Sequence, residues 1–228
     1  WFGEEKQPFT MWSSKMKEML LEEAASVLKV PKESVEYDGK TFVSKDKSIT
    51  INDLANRLYY NEDQKQLTAT GSYVGHKSPP PFMTGYADIT IDTETCEFEI
   101  NNYTSVVDCG VPLNTKLAQG QVEGGIVQGI GMAVYEEVKV SSNGKMITND
   151  FMNYRIPTRK EIKNLTTEFA KSHEESGPYG AKSVGEIGID TPPAAIANAI
   201  YNALGVRIRS LPITPEKILL AKIRKDKK

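Results

Sequence analysis

The sequence contains few cysteines and histidines, which excludes several classes of site. Its 228 residues include two cysteines, Cys96 and Cys109, and two histidines. Two cysteines cannot build a disulfide scaffold or a four-cysteine zinc site, so we expect two free thiols packed near strands rather than a redox pair. Two histidines leave almost no basis for a histidine metal site or a Ser-His-Asp triad. We therefore predict no metal-ligating side chains in this chain.

The sequence also lacks long apolar runs and an excess of charge of either sign. No stretch approaches the roughly 18 apolar residues of a membrane-spanning helix. The 28 basic residues against 30 acidic ones give a net charge of −2, whereas nucleic-acid-binding modules carry a clear basic excess. We predict neither nucleic acid nor membrane as a partner, and a cytoplasmic location. Because the chain begins with Trp1 and carries no secretory signal, we expect a piece of a longer protein.

Residues 1–65 predict a small α/β segment that continues from a missing N-terminal half. Apolar residues at helical spacing precede Pro31, which ends the predicted helix. Two short β-prone runs flank Asp38-Gly39, a pair typical of hairpin turns. A short strand and a helix capped near Thr50 complete this segment.

Residues 66–228 predict an α+β fold in which helices cover a mixed β-sheet. Alternation with a period of two indicates strands over 66–75, 86–92, 96–108 and 165–170. A hairpin is predicted around Asn143-Gly144. Helices are predicted after three N-cap residues, Asn114, Thr191 and Thr214, of which the latter two precede proline.

The helix after Asn114 is unusually rich in glycine. It carries Gly120, Gly124, Gly125, Gly129 and Gly131, and each glycine costs a helix up to about 1 kcal/mol relative to alanine. Neither a dinucleotide fingerprint nor a phosphate-binding P-loop is present. Two interpretations remain open. The glycines allow tight packing of the helix on its neighbours, or the helix brings Gln121 and backbone amides against an anionic cofactor.

A second glycine-rich segment, residues 177–190, carries Glu186 directly before the apolar start of a predicted helix. Val184, Ile187 and Ile189 flank Glu186, so we expect partial burial, which would raise its pKa and suit a general base. Lys182 is close in sequence and could pair with it. Asp190, directly before Thr191-Pro192, better suits a turn or cap.

Three motifs in this order resemble the C-terminal part of the molybdopterin-binding large subunit in the xanthine dehydrogenase family of molybdenum hydroxylases. They are GQVEGGIVQGIGMAVYEE (120–137), YGAKSVGEIGIDTPPAAIANAIYNALGVRI (179–208) and LPITPEKIL (211–219). The strand passage over 85–110 resembles the segment just upstream in that family. The resemblance covers residues 70–220 and extends in weaker form over 1–70.

The resemblance implies an oxidoreductase with a molybdopterin cofactor that hydroxylates a carbon of purines, other N-heterocycles or aldehydes with oxygen from water. The family's VGE glutamate, its general base, matches Glu186, and the glutamine beside the pterin matches Gln121. Gly120 and Lys182 are further expected cofactor contacts. Iron–sulfur clusters and FAD are expected on partner domains or subunits. A purine or similar N-heterocycle is the favoured substrate.

The sequence also departs from the family pattern. Ile187 and Gly188 follow the glutamate where many relatives have proline, and Leu113-Asn114-Thr115 replaces Ile-Asn-Pro. The cofactor-binding segments of the first half of such a subunit are absent. We therefore expect residues 66–228 to supply the catalytic base and one wall of the pocket, with no cofactor bound and no activity in the chain alone. Two alternatives are a non-catalytic truncated remnant acting as an interaction or structural domain, and a hydrolase using Glu186 and Asp190 as paired carboxylates.

Overall fold

The structure, a computed structural model, describes residues 8–60, 64–71 and 77–226. The chain divides into two compact units. The first comprises Trp1–Ser78 with Glu175–Tyr179, and the second comprises Pro79–Glu174 with Gly180–Lys228. The boundary predicted from the sequence lies between residues 65 and 66.

The first unit packs two helices against a small antiparallel sheet. Its elements are α1 (Pro8–Leu28), β1 (Glu36–Tyr37), β2 (Thr41–Ser44), β3 (Lys47–Thr50) and α2 (Ile51–Tyr60), with strand order β1-β2-β3. The predicted turn at Asp38-Gly39 is confirmed, since Gly39 has a φ of 98° and the Asp38 carboxylate accepts two backbone N–H groups. Phe42 and Leu54 are fully buried at the centre of this unit.

The second unit is built on a mixed sheet, as predicted. Strands β4 (Phe82–Ile91) and β5 (Phe98–Asp108) pair antiparallel, while β6 (Leu165–Phe169) pairs parallel to β5. The α+β fold class is therefore confirmed.

Helices pack on this sheet through branched apolar side chains. They are α3 (Thr115–Val134), the short α4 (Ile187–Asp190), α5 (Pro192–Leu204) and α6 (Pro215–Asp226). The side chains shared by the sheet and the helices are fully buried: Tyr103, Val107, Val122, Ile126, Ile130, Ile196, Ile200, Ile213 and Ile218. Asn114 caps α3 as predicted, because its side chain accepts the backbone N–H of Leu117 at 3.1 Å.

Two local predictions require correction. Residues 66–71 form no strand, although Leu67 and Ala69 both turn inward. Alternation of apolar and polar residues predicts which side chains are buried, but a strand also needs a hydrogen-bonded neighbour. The rest of that predicted strand, 72–75, lies outside the described residues. Thr191 does not cap α5: its backbone is helical and its hydroxyl lies 2.8 Å from the Tyr103 hydroxyl. Because α4 ends directly before it, Thr191 connects two helical segments instead of starting one.

Cys96 and Cys109 are both buried and free, as the sequence analysis predicts. Among the described helices, each is either too short or too polar to traverse a bilayer.

Candidate cofactor-binding site

A cleft of about 570 Å³ lies between α3 and the loop that leads into α4. It brings Gly120, Gln121 and Glu186 together, as the sequence analysis expected for a shared site. Helix α3 and the loop with α4 contribute the lining residues Gly120, Gln121, Gly124, Gly125, Gln128, Gly185, Glu186, Ile189 and Asp190.

Some glycines of α3 are required by helix packing. A Cβ added at Gly125 would lie 3.0 Å from the Gly188 Cα, and one at Gly188 would lie 2.5 Å from the Val122 carbonyl oxygen. A Cβ at Gly129 would lie 2.7 Å from the Ile189 carbonyl oxygen. Side chains cannot be accommodated at such distances from rigid backbone. The backbone of α4 therefore packs directly on α3, and this contact places the residues around Glu186.

Other glycines of the same helix face open space. A Cβ added at Gly120 or Gly124 would meet nothing within 4 Å, and both residues line the cleft. Gln128 follows Gly124 by one helical turn and lies on the same face. The packing interpretation of the glycine-rich helix is therefore confirmed at Gly125 and Gly129, whereas Gly120 and Gly124 leave the cleft open.

Gln121 connects the two walls of the cleft. Its Nε2 donates a hydrogen bond of 2.7 Å to the carbonyl oxygen of Gly185, which leaves the amide oxygen as an acceptor for a ligand. The predicted donation by backbone amides is wrong at these positions. Helix α3 begins at Thr115, so only the amides of its first turn lack partners within the helix. On the α3 side, the cleft is therefore lined by side chains and by the backbone of glycines.

Glu186 directly precedes α4 and lines the cleft with an exposed side chain. The predicted partial burial is therefore wrong for this chain. Its apolar neighbours Ile187 and Val184 turn toward the core, where Ile187 is buried and Val184 packs. Glu186 is left on the side that faces the cleft. Asp190 is also exposed there.

Lys182 lies elsewhere and has a different partner from the one predicted. Its Nζ is 2.7 Å from Oδ2 of Asp108, and only 8% of its side chain is exposed. Asp108, at the end of β5, also accepts hydrogen bonds from the Ser172 hydroxyl and the Gly110 backbone N–H. These donors, led by Lys182, lower the Asp108 pKa to about 2. The expected pairing of Lys182 with Glu186 is therefore wrong, and Lys182 does not line the cleft.

Two of the four polar side chains that line the cleft, Gln128 and Asp190, were not predicted as cofactor contacts or as the catalytic base. Gln128 could have been found from helical spacing, since it follows Gly120 and Gly124 at intervals of four. Asp190 was expected in a turn or cap and instead ends α4 beside Glu186 in the cleft. Within the described ranges, no three side chains of His, Cys, Asp or Glu are arranged to hold a metal ion.

Known proteins match most of this chain. The molybdopterin cofactor-binding domain family matches residues 11–163, a range that contains Gln121 but ends before Glu186. The putative xanthine dehydrogenase molybdenum-binding subunit of Escherichia coli K-12 is 36% identical over 172 residues, which is 75% of this chain and 23% of that protein. The probable hypoxanthine oxidase of the same organism is 31% identical over 208 residues, 90% of this chain and 22% of that protein.

Solved structures agree with the sequence relatives. The crystal structure of quinoline 2-oxidoreductase from Pseudomonas putida 86 matches with a TM-score of 0.72 and 25% identity, covering 92% of this chain and 28% of that one. The chain thus spans less than a third of the length of these relatives. The resemblance to the molybdopterin-binding subunit of the xanthine dehydrogenase family is confirmed, and the chain belongs to the molybdopterin cofactor-binding domain family.

Proposed function

We propose that this chain forms one wall of a molybdopterin site within a larger molybdenum-binding subunit. The assembled enzyme would hydroxylate a carbon of a purine or similar N-heterocycle with oxygen from water. One observation carries the proposal: the Gln121 side chain and the Glu186 loop meet across a single cleft, joined by the hydrogen bond from Gln121 to Gly185. This hydrogen bond brings residues 64 positions apart together at one cleft, which supports the proposal.

The cleft fits a flat, polar cofactor at its glycine-lined wall. Its volume of about 570 Å³ lies in the range of roughly 300–1,000 Å³ typical of small-molecule sites. Bare backbone at Gly120 and Gly124 permits close approach, and the Gln121 amide oxygen can accept a hydrogen bond. When bound, the molybdenum cofactor would supply the oxidising centre. Because Glu186 and Asp190 carry negative charge, anionic groups of the cofactor would lie away from them.

Glu186 would act as the general base. A carboxylate at the loop end, next to the glycine-lined wall, can accept a proton at a side-chain oxygen from a group held in the cleft. Its exposure in this chain implies that other parts of the subunit and the substrate would exclude water around it. The chain alone would then lack activity, because its part of the site is open on one side.

The relatives' names support the wider assignment. Two of them name a xanthine dehydrogenase subunit and a hypoxanthine oxidase, which favours a purine as substrate. The partners we propose are the remainder of the molybdenum-binding subunit and domains or subunits that carry iron–sulfur clusters and FAD. A cytoplasmic location is part of the same proposal.

Gly124→Leu tests the assignment of the cleft. Nothing lies within 4 Å of a Cβ at this position, so a leucine side chain would begin in open space, improve helix propensity and extend into the cleft that Gly124 lines. We expect the assembled enzyme carrying this variant to lose most of its molybdenum and pterin, measured by elemental analysis and by fluorescence of the oxidised pterin.

The matched control is Gln119→Leu, on the same helix but outside the cleft lining. It should retain the cofactor content of the unaltered enzyme. If Gly124→Leu retained full cofactor content and turnover, the cleft would not be the cofactor site.

A further inference from the structure

We propose that Asp108 and Lys182 form a positioning pair, which fixes the loop that carries Glu186 to the end of β5. The proposal rests on the proposed function in one respect, that the placement of Glu186 matters for turnover. It gives Lys182 a role different from the cofactor contact that the sequence resemblance implies.

The side-chain contacts of the pair are specific. Lys182 Nζ and Asp108 Oδ2 are 2.7 Å apart, and the lysine side chain is nearly buried. The second carboxylate oxygen of Asp108 accepts the Gly110 N–H and the Ser172 hydroxyl. The carboxylate is thus held by three donors, and the ammonium also lies 5.2 Å from the centre of the Phe82 ring. Exposed ion pairs contribute little to stability, but a nearly buried one with these additional hydrogen bonds holds a defined geometry.

Backbone contacts fix the loop at the same point. Gly110 and Ala181 form a β-bridge, the Lys182 N–H donates to the Cys109 carbonyl at 2.7 Å, and the Val111 N–H donates to the Gly180 carbonyl at 2.8 Å. Gly110 has a φ of 67°, and a Cβ there would lie 2.2 Å from the Gly180 oxygen. The loop therefore lies directly against the strand end.

The other end of the loop is held by α3. The Gly185 carbonyl accepts the Gln121 side chain, and Gly188 packs against the α3 backbone. Only residues 183 and 184 lie between the two anchored positions, and Glu186 follows at once. Asp108 would affect the catalytic rate by fixing the position of Glu186, because a small displacement of a reacting group can lower the rate about 100-fold.

Hydrogen–deuterium exchange of this chain tests the pair without any chemistry. In Asp108→Asn we expect the backbone amides at positions 111 and 182, which are hydrogen-bonded between the end of β5 and the loop, to exchange at least about tenfold faster, since opening of a local segment sets the exchange rate. The control is Glu99→Gln, which breaks an exposed ion pair between Glu99 and Lys163 at 2.6 Å. It should leave exchange at positions 111 and 182 unchanged.

The double variant Asp108→Asn/Lys182→Met separates positioning from simple destabilisation. Removing one partner of a buried pair leaves an uncompensated charge, whereas removing both does not. We expect the double variant to fold and still to show faster exchange at positions 111 and 182. Unaltered exchange in both variants would overturn the proposal.

A kinetic measurement then tests the consequence in the assembled enzyme. Asp108→Asn should lower kcat by about 10- to 100-fold, with little change in KM and with molybdenum retained, and Asp108→Glu should recover part of the loss. Loss of molybdenum, or an unchanged kcat, would contradict the positioning role. Retained turnover in Glu186→Gln would instead refute the proposed base, and the exchange results would stand independently of it.

Discussion

Glu186→Gln is expected to lower turnover of the assembled enzyme by about 10²- to 10⁴-fold while molybdenum and pterin stay bound. Glutamine keeps the size of the side chain but cannot accept a proton at the pH of the assay. Glu186 lies at the loop end of the cleft, and Gln121 and the open glycines form the other wall, so cofactor binding should be little affected. Turnover and molybdenum content are measured on the same preparation.

The matched control is Glu123→Gln. Glu123 lies on α3 between cleft residues but does not line the cleft, and its carboxylate accepts a hydrogen bond from Gln119 at 2.7 Å. It should keep turnover close to that of the unaltered enzyme. Equal turnover in Glu186→Gln and Glu123→Gln would remove Glu186 as the base.

Asp190→Asn and Glu186→Gln test the alternative of a hydrolase with paired carboxylates, because Glu186 and Asp190 both line the cleft. If the two acids acted as a hydrolytic pair, a glycoside would be cleaved and either substitution would abolish that cleavage. We expect no such cleavage by the unaltered enzyme, measured with chromogenic glycosides.

Gly188→Ala is expected to destabilise the chain by about 1–3 kcal/mol. A Cβ at this position would lie 2.5 Å from the Val122 carbonyl oxygen, and neither α4 nor α3 can move without disturbing the other. The free energy of unfolding is obtained from urea denaturation followed by circular dichroism.

Gly124→Ala is the matched control for this prediction, since it adds the same methyl group to a helical glycine that faces the open cleft. Its Cβ meets nothing within 4 Å, so a gain of up to about 1 kcal/mol is expected from helix propensity alone. Equal effects of the two substitutions would show that α4 does not pack on α3 as described.

Local signals in the sequence predict much of this fold. Asn114 caps α3, Asp38-Gly39 turns the first hairpin, and periodicity predicts β4, β5, β6 and the main helices. Each of these signals acts over a few neighbouring residues, which is why it can be identified without a structure. The failure at residues 66–71 has the opposite cause, because a strand depends on a distant partner that alternation does not reveal.

The candidate site could also be predicted only where local signals suffice, because its assembly depends on contacts between distant residues. Motifs identify Gln121 and Glu186. Their proximity in the fold depends on the contact between Gly125 and Gly188, which are far apart in sequence. The predicted partner of Lys182 was wrong because proximity in sequence favours Glu186, four positions away, over Asp108, which is 74 positions away. Burial of Glu186 was predicted from its apolar neighbours, yet Val184 and Ile187 pack on the core, whereas Ile189 lines the cleft beside the exposed Glu186.

Purification of the tagged chain from the cells in which it occurs tests the central claim most directly. Molybdenum, iron and flavin are quantified in the eluate, together with the proteins that accompany the chain. We predict that all three are recovered along with the remaining parts of a hydroxylase. A clean chain without metal, flavin or partner would contradict the account and favour a non-catalytic interaction or structural role.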